Sequence, residues 1–245
     1  MSIELNHYTE QFQAFQKNGA AKSPSWVNDV RNSALSVFTE KGFPTTKLED
    51  WKYTNVAPIA RAPFRYSSAA AAVPAELVQS LLIGDTEQHL IVFVNGHFSA
   101  EHSRLQSLPA GLTVKNLIAA YGTHADIIRT HLSKYAPFDK NPFTALNTAF
   151  INDGAFIHAA KGTVVETPVH LLFISTAVGA EPVASHIRNL IIAEEGAKIA
   201  VAHSFASAQD NTNLTNVVTE VMAKQESVVE LVKVQRESER SYHVE

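Results

Sequence analysis

Histidine is the side chain in this sequence most able to do chemistry, since a neutral imidazole binds metals and its proton exchanges close to neutral pH. The chain has eleven. Their spacing rules out most local pairings. His97 and His102 lie an odd number of positions apart, so on a continuous strand they point to opposite faces. His124 and His131 can share a helical face, but two turns hold them about 10 Å apart along the axis, against metal–ligand bonds of about 2 Å. His170 and His203 fall at nearly the same place in two successive strand-rich units, so stacking of those units would bring them together. They are the candidate metal ligands, set against the ordinary reading of packed or surface histidines. A site takes three or four ligands, and no third is visible.

Other reactive groups are scarcer. With no cysteine in the chain, disulfides, thiolate metal sites and cysteine nucleophiles are excluded within these residues. Glu194-Glu195 precedes Gly196 at a turn, where adjacent carboxylates are usually solvated rather than catalytic. No G-x-x-x-x-G-K-[ST], G-x-S-x-G or H-E-x-x-H pattern occurs. Residue chemistry thus assigns no catalytic residue and no cofactor to this chain, and describes a protein that packs and presents surfaces.

A length of 245 residues with 45% apolar content can bury a sizeable core in one or two domains. A net charge of -4 and a pI of about 6.3 argue against nucleic acid as a partner, because phosphate readers usually carry a strongly basic face. The start, Met1-Ser2-Ile3-Glu4, lacks a basic region followed by an apolar run, and no stretch approaches the 18 or so apolar residues that span a bilayer. No membrane is expected, and the cytoplasm is the expected location.

The elements that must position these groups divide the chain in two. Leu5, Tyr8, Phe12 and Phe15 recur at spacings of three and four, which predicts an amphipathic helix. A second helix is predicted from a Ser23 cap and Pro24, with an apolar stripe of Trp26, Val30, Ala34 and Val37 and a stop at Gly42 and Pro44. Thr46-Lys47-Leu48-Glu49 matches a capping box, and Trp51 and Tyr53 behind it are expected to pin a short helix onto a core. The small-residue run from Ser67 to Pro74 reads as a linker or frayed helix. Asn95-Gly96 between two apolar stretches predicts a tight hairpin, since both residues tolerate positive φ. Helices follow over residues 125–135, ended by Pro137, and 141–151, closed by Asn152-Asp153-Gly154.

Beyond Gly154 the pattern changes to strands. Three units line up: Lys161-Gly162 followed by residues 163–173, Glu195-Gly196 by 197–205, and Lys224-Gln225 by 226–234. Each opens on a charged turn and runs into a β-branched stretch, at the interval of roughly 30 residues expected of a solenoid. No helical pattern long enough for a βαβ crossover lies between them, which leaves a parallel β-helix or a sandwich, and the regular interval favours the β-helix. The fold class is therefore α+β, mostly β. It comprises an N-terminal helical region (1–66), a linker with a short helix (67–85), mixed hairpin and helices (86–153) and parallel β-helix coils (154–245). The solenoid looks cut short at Glu245, because a coil needs a stacked neighbour.

Phe43-Pro44-Thr45-Thr46-Lys47-Leu48-Glu49-Asp50-Trp51-Lys52-Tyr53-Thr54 closely resembles the N-terminal signature of SufD members of the SufB/SufD family. Val94-Asn95-Gly96-His97-Phe98, the run from Asn141 to Phe150, and the turns from Asp153-Gly154 to Glu166-Thr167-Pro168 extend the resemblance over the whole chain. It implies a scaffold of the SUF iron-sulfur cluster assembly machine and a right-handed parallel β-helix flanked by helical regions. Its implied partners are a SufB-type paralogue and a SufC-type ABC ATPase, the partner hydrolysing the nucleotide and the complex assembling the cluster. Glu49, Trp51, Tyr53, Asn95, Gly96 and Asn147 match family positions, with structural roles expected. The family's partner-gripping regions lie past Glu245, so no cluster or ATPase contact carries over. Two rival readings are a β-helix enzyme acting on polysaccharide, which would need carboxylates and basic residues converging on one groove, and a generic oligomerising solenoid. The second would pair with another copy, as a homodimer, through residues 227–234, since unpaired sheet edges seek partners.

Overall fold

The computed structural model describes residues 3–18, 23–68, 71–84, 88–105 and 107–245. Of the expected linker, Ala69 and Ala70 lie outside these. The expected first helix is α1 (Ile3–Asn18), whose Tyr8, Phe12 and Phe15 are buried. It packs with α2 (Ser25–Lys41) and α7 (Pro142–Ala149), sharing a core with Ala34, Phe38, Leu146 and Phe150.

The face of α2 differs from the expected stripe. The buried residues are Val27, Arg31, Ala34 and Phe38, so only Ala34 was placed correctly. The reason is Arg31, a charged residue at 0% exposure. Its Nε donates to the Ile151 carbonyl at 2.7 Å, its Nη1 to Asn28 Oδ1 at 2.6 Å and its Nη2 to Ser23 Oγ at 2.8 Å, while the guanidinium lies 5.0 Å from the Phe15 ring centre. An apolarity pattern cannot register a buried arginine whose guanidinium is held by fixed acceptors. Ser23 is thereby drawn to Arg31, and α2 begins after Pro24 with no side-chain cap.

The capping box does not form. Glu49–Trp51 is a single 3₁₀ turn preceded by Leu48, with no side-chain cap, and Glu49 is exposed. Trp51 is half-buried against Phe143, at 5.4 Å between rings, whereas Tyr53 is 91% exposed and pins nothing. Next come α3 (Ala57–Arg61), β1 (Arg65–Tyr66) and α4 (Ala75–Ser80).

The hairpin forms as expected. β2 (His89–Val94) and β3 (His97–Arg104) are antiparallel across Asn95 at φ 49° and Gly96 at φ 78°. Then follow β4 (Leu112–Asn116), α5 (Leu117–Tyr121) and α6 (Ala125–His131). α6 stops well before Pro137: Ser133 takes φ 62°, and the Glu220 carboxylate captures the Ser133, Tyr135 and Ala136 N–H groups.

The remaining strands are β5 (Ala155–Ala159), β6 (Val169–Ser175), β7 (Val183–Ala193), β8 (Lys198–Ser207), β9 (Asn213–Ala223), β10 (Val228–Arg236) and β11 (Tyr242–Val244). They form two sheets. The first runs β11-β9-β7-β5-β4, with β1 also on β7, and the second β10-β8-β6-β2-β3. From β5 onward, consecutive strands alternate between the sheets and every pairing among them is parallel. The three repeating units of the sequence open β6, β8 and β10, so they mark one sheet only. Their turns stack, Gly162 N–H donating to the Glu195 carbonyl and Gly196 N–H to that of Gln225, both at 2.9 Å.

Between the sheets Ile91, Phe93, Leu171, Phe173, Val201 and Phe205 face Val114, Ile157, Ile187, Ile191 and Val217 in one apolar core. Removing each such side chain from water contributes about 1.5–3 kcal/mol. Helices cover the outside of the first sheet, where Leu190, Ile192 and Phe156 pack with Leu117 and Ile128. All eleven residues of β7 are consequently buried, which erases the period of two that marks β8 in the sequence.

Candidate functional site at the free end of the sheets

Two polar systems stand out, one sealed and one open. The sealed one ties α7 to the first sheet. Arg188 on β7 and Glu220 on β9 pair at 2.8 Å, both at 0% side-chain exposure. The guanidinium also donates to Asn147 Oδ1 at 3.3 Å and Thr148 Oγ1 at 3.2 Å, and Glu220 accepts three backbone N–H groups from residues 133–136. Asn147, at 0% exposure, donates from Nδ2 to the carbonyls of Ile187 and Asn216, both at 2.9 Å. Asn95 plays a similar part at the hairpin: Nδ2 donates to the Thr176 carbonyl at 3.0 Å and Oδ1 accepts its N–H at 2.9 Å. Gly96 lies against β7, where a Cβ would sit 3.5 Å from that of Ser185. Every strong group in these systems has a partner, so they hold the frame and leave nothing to offer a ligand.

The open system lies where the sheets end. Among the described residues β10 pairs only with β8 and β11 only with β9, so each has one unpaired edge. Val228, Leu231 and Val232 on β10 are 44%, 48% and 55% exposed. Inside, the stacked rings of Phe93, Phe173 and Phe205, at 5.2 and 5.0 Å, give way to charge. His243 meets the last ring edge-on at 4.7 Å, and Lys233 lies 5.5 Å from its centre. Lys233 pairs with Glu245 at 2.6 Å, while His243 Nδ1 lies 2.8 Å from Glu237 and its Nε2 2.9 Å from Lys233 Nζ.

Burial works against charge on His243, but the Glu237 and Glu245 carboxylates outweigh it and raise its pKa. The nearby His203 and His243 imidazoles, with the Lys233 ammonium, hold the Glu245 carboxyl well below the usual range. A cavity of about 420 Å³ opens here, lined by His203, Val217, Thr219, Leu231, Lys233 and Glu245. The buried Nε2 of His203 has no hydrogen-bond partner, which leaves one unsatisfied polar atom beside the free edges.

His170 and His203 do not converge. In the β6–β8 register His170 pairs with Ala202, and His203 with Leu171, so the two imidazoles lie on opposite faces of the second sheet. The two histidines are one position out of register, enough to reverse a side chain. His170 is held by Gln88 Oε1 at 2.6 Å and Ser204 Oγ at 2.8 Å on the outer face, and burial lowers its pKa to about 4. Among the described residues no group of three or more His, Asp or Glu could hold a metal ion. The charged cluster at the free end was missed because Lys233, Glu237, His243 and Glu245 come from three short segments that meet only once the sheets stack. The one available signal was the charge density of residues 233–245 in an otherwise β-branched tract.

No helix among the described residues is long and apolar enough to cross a membrane. The chain matches the SufBD protein N-terminal region over residues 1–171 and the SUF system FeS cluster assembly SufBD core domain over residues 173–245. It is 24% identical to an iron-sulfur cluster assembly SufBD family protein of Synechocystis, over 97% of this chain and 55% of that one. It is 27% identical to the iron-sulfur cluster assembly protein SufB of Bacillus subtilis, over 91% of this chain and 50% of that one. A SufBD family protein of Staphylococcus epidermidis is 24% identical over the same shares. The chain thus spans about half the length of the curated relatives it matches. Matched over residues 1–171 and 173–245 by these two family regions, the chain belongs to the SufB/SufD family of SUF-system iron-sulfur cluster assembly proteins.

Proposed function

We propose that this chain is the frame of a SufD-type scaffold subunit, with its two sheets forming the coils of a right-handed parallel β-helix. It acts in the cytoplasm with a SufB-type paralogue and a SufC-type ABC ATPase. The observation that carries this reading is the strand-by-strand alternation between two parallel sheets, of which β7 to β11 lie in the region matched to the SufBD core domain. The SufD branch is supported by the motif at residues 43–54 and by the lack of cysteine.

The cluster is cargo of the assembly, and this chain's share is mechanical. Lacking a P-loop, it leaves nucleotide hydrolysis to the ATPase. The test is co-expression of the tagged chain, as part of its full-length subunit, with SufB-type and SufC-type proteins from one organism. Co-purification of all three, and cluster assembly that depends on this subunit, is the expected result. Recovery of neither partner overturns the proposal.

The exposed Val228, Leu231 and Val232 on the β10 edge favour a second reading for the 245-residue chain in isolation, a homodimer joined edge to edge. Light scattering that gives a dimer mass, reduced to a monomer by Val232→Lys, is expected. A monomer at all concentrations removes it.

A further inference from the structure

A cavity of about 750 Å³ lies at the opposite edge of the second sheet from β10, between the β2–β3 hairpin and the corner before β6. The ladder is broken there. Leu90 pairs with Arg104 but Val92 with Ser99, so β3 carries extra residues at a bulge. Ser103 staples it: Oγ accepts the Val92 N–H at 2.9 Å and donates to the Ser99 carbonyl at 2.6 Å. Bulges re-aim side chains and recur beside binding sites, and this one sets Arg104 on the cavity wall.

Opposite charges line the same cavity without meeting. Among the described residues the Arg104 guanidinium, from the bulge, donates only to Gln79 Oε1, at 2.9 Å. Glu166, from the corner before β6, makes no ion pair or hydrogen bond among the described residues. The Thr167 and Ser107 hydroxyls line the space as well, over an apolar wall of Leu90 and Val164. A guanidinium and a carboxylate that line one cleft without pairing complement a ligand that carries both charges. The guanidinium fork fits a carboxylate, and the Glu166 oxygens accept from an ammonium. The volume falls in the range of small-molecule pockets and is more than a single amino acid fills.

We propose that this cavity binds a short zwitterionic peptide, its C-terminal carboxylate on Arg104 and its N-terminal ammonium on Glu166. Calorimetric or NMR titration with trialanine tests it, alongside N-acetyl-trialanine and trialanine amide as probes blocked at one end each. Saturable binding of trialanine is expected, about tenfold weaker for each blocked peptide, the scale of one lost charge-assisted bond. Arg104→Ala should cease to distinguish the acid from the amide while still preferring the free amine, and Glu166→Gln should show the converse. Both residues are exposed, so an unchanged melting temperature is expected and confirms that the variants are folded. Equal binding of all three peptides, undiminished trialanine binding by both variants, or no saturable binding at millimolar peptide overturns the assignment.

Discussion

The Arg188–Glu220 pair and the Lys233–Glu245 pair are alike in length, at 2.8 and 2.6 Å, and opposite in setting. The first has 0% exposure on both sides and a full set of backbone and side-chain partners; the second is 39% and 29% exposed at the free end of the sheets. A buried pair leaves a costly unpaired charge when broken, whereas an exposed pair is screened and worth little. The same chemistry is therefore sealed within the frame in one region and open to solvent in the other.

Glu220→Ala has the largest expected effect, since it strands Arg188 and frees three N–H groups. A loss of about 3–5 kcal/mol is expected in urea unfolding, and a loss below 1 kcal/mol would place the frame elsewhere. Gly154→Ala comes next. Its Cβ would sit 2.1 Å from the Arg188 carbonyl oxygen, against backbone that cannot yield cheaply. A loss of about 2–3 kcal/mol follows from overpacking of this kind, and a neutral result would show that the β7 backbone moves freely.

Acid sharpens the contrast further. Burial lowers the pKa of His170 to about 4 and of His186 to about 3, from 6.5. Both prefer to be neutral when folded, so their contribution is full above pH 6.5 and is lost as the pH falls toward 4, at up to about 1.4 kcal/mol per pH unit per group. Asp153 has the opposite sign. Burial, opposed by bonds from Asn116 and Gly154, raises its pKa from 3.8 to about 6, so its contribution is present below 3.8 and is lost as the pH rises to 6. Asp153→Asn should make the loss of stability between pH 6 and 4 steeper, and a shallower profile would contradict the assignment. At the small end, Lys233→Ala should change stability by less than about 1 kcal/mol. A larger loss would mean that the free end is as rigid as the frame.

Legibility in the sequence followed the same division. The α1 stripe and the Asn95-Gly96 turn depend on neighbours a few residues away, and both were found where expected. β7 was missed because burial on two faces removes its alternation, and the α2 face was misread because Arg31 is satisfied by Ile151, a residue far along the chain. The capping box failed for a related reason: Trp51 packs on Phe143, and the backbone tightens into one 3₁₀ turn instead of a helix. Of the candidate site, the β10 edge was legible from the repeat, while the pairing of histidines was not.

The amino-acid pattern carries the class of the molecule: a helical start, a hairpin, and strand units at a regular interval, in a chain with no thiol and no nucleotide loop. These are set by local periodicity and by the presence or absence of residue types. Tertiary structure alone decided that the repeat is half of a two-sheet stack, that His170 and His203 face apart, and which charges are sealed and which exposed. A one-residue shift in register reverses a side chain, and burial sets the strength of a charge pair, and neither quantity is local to the chain.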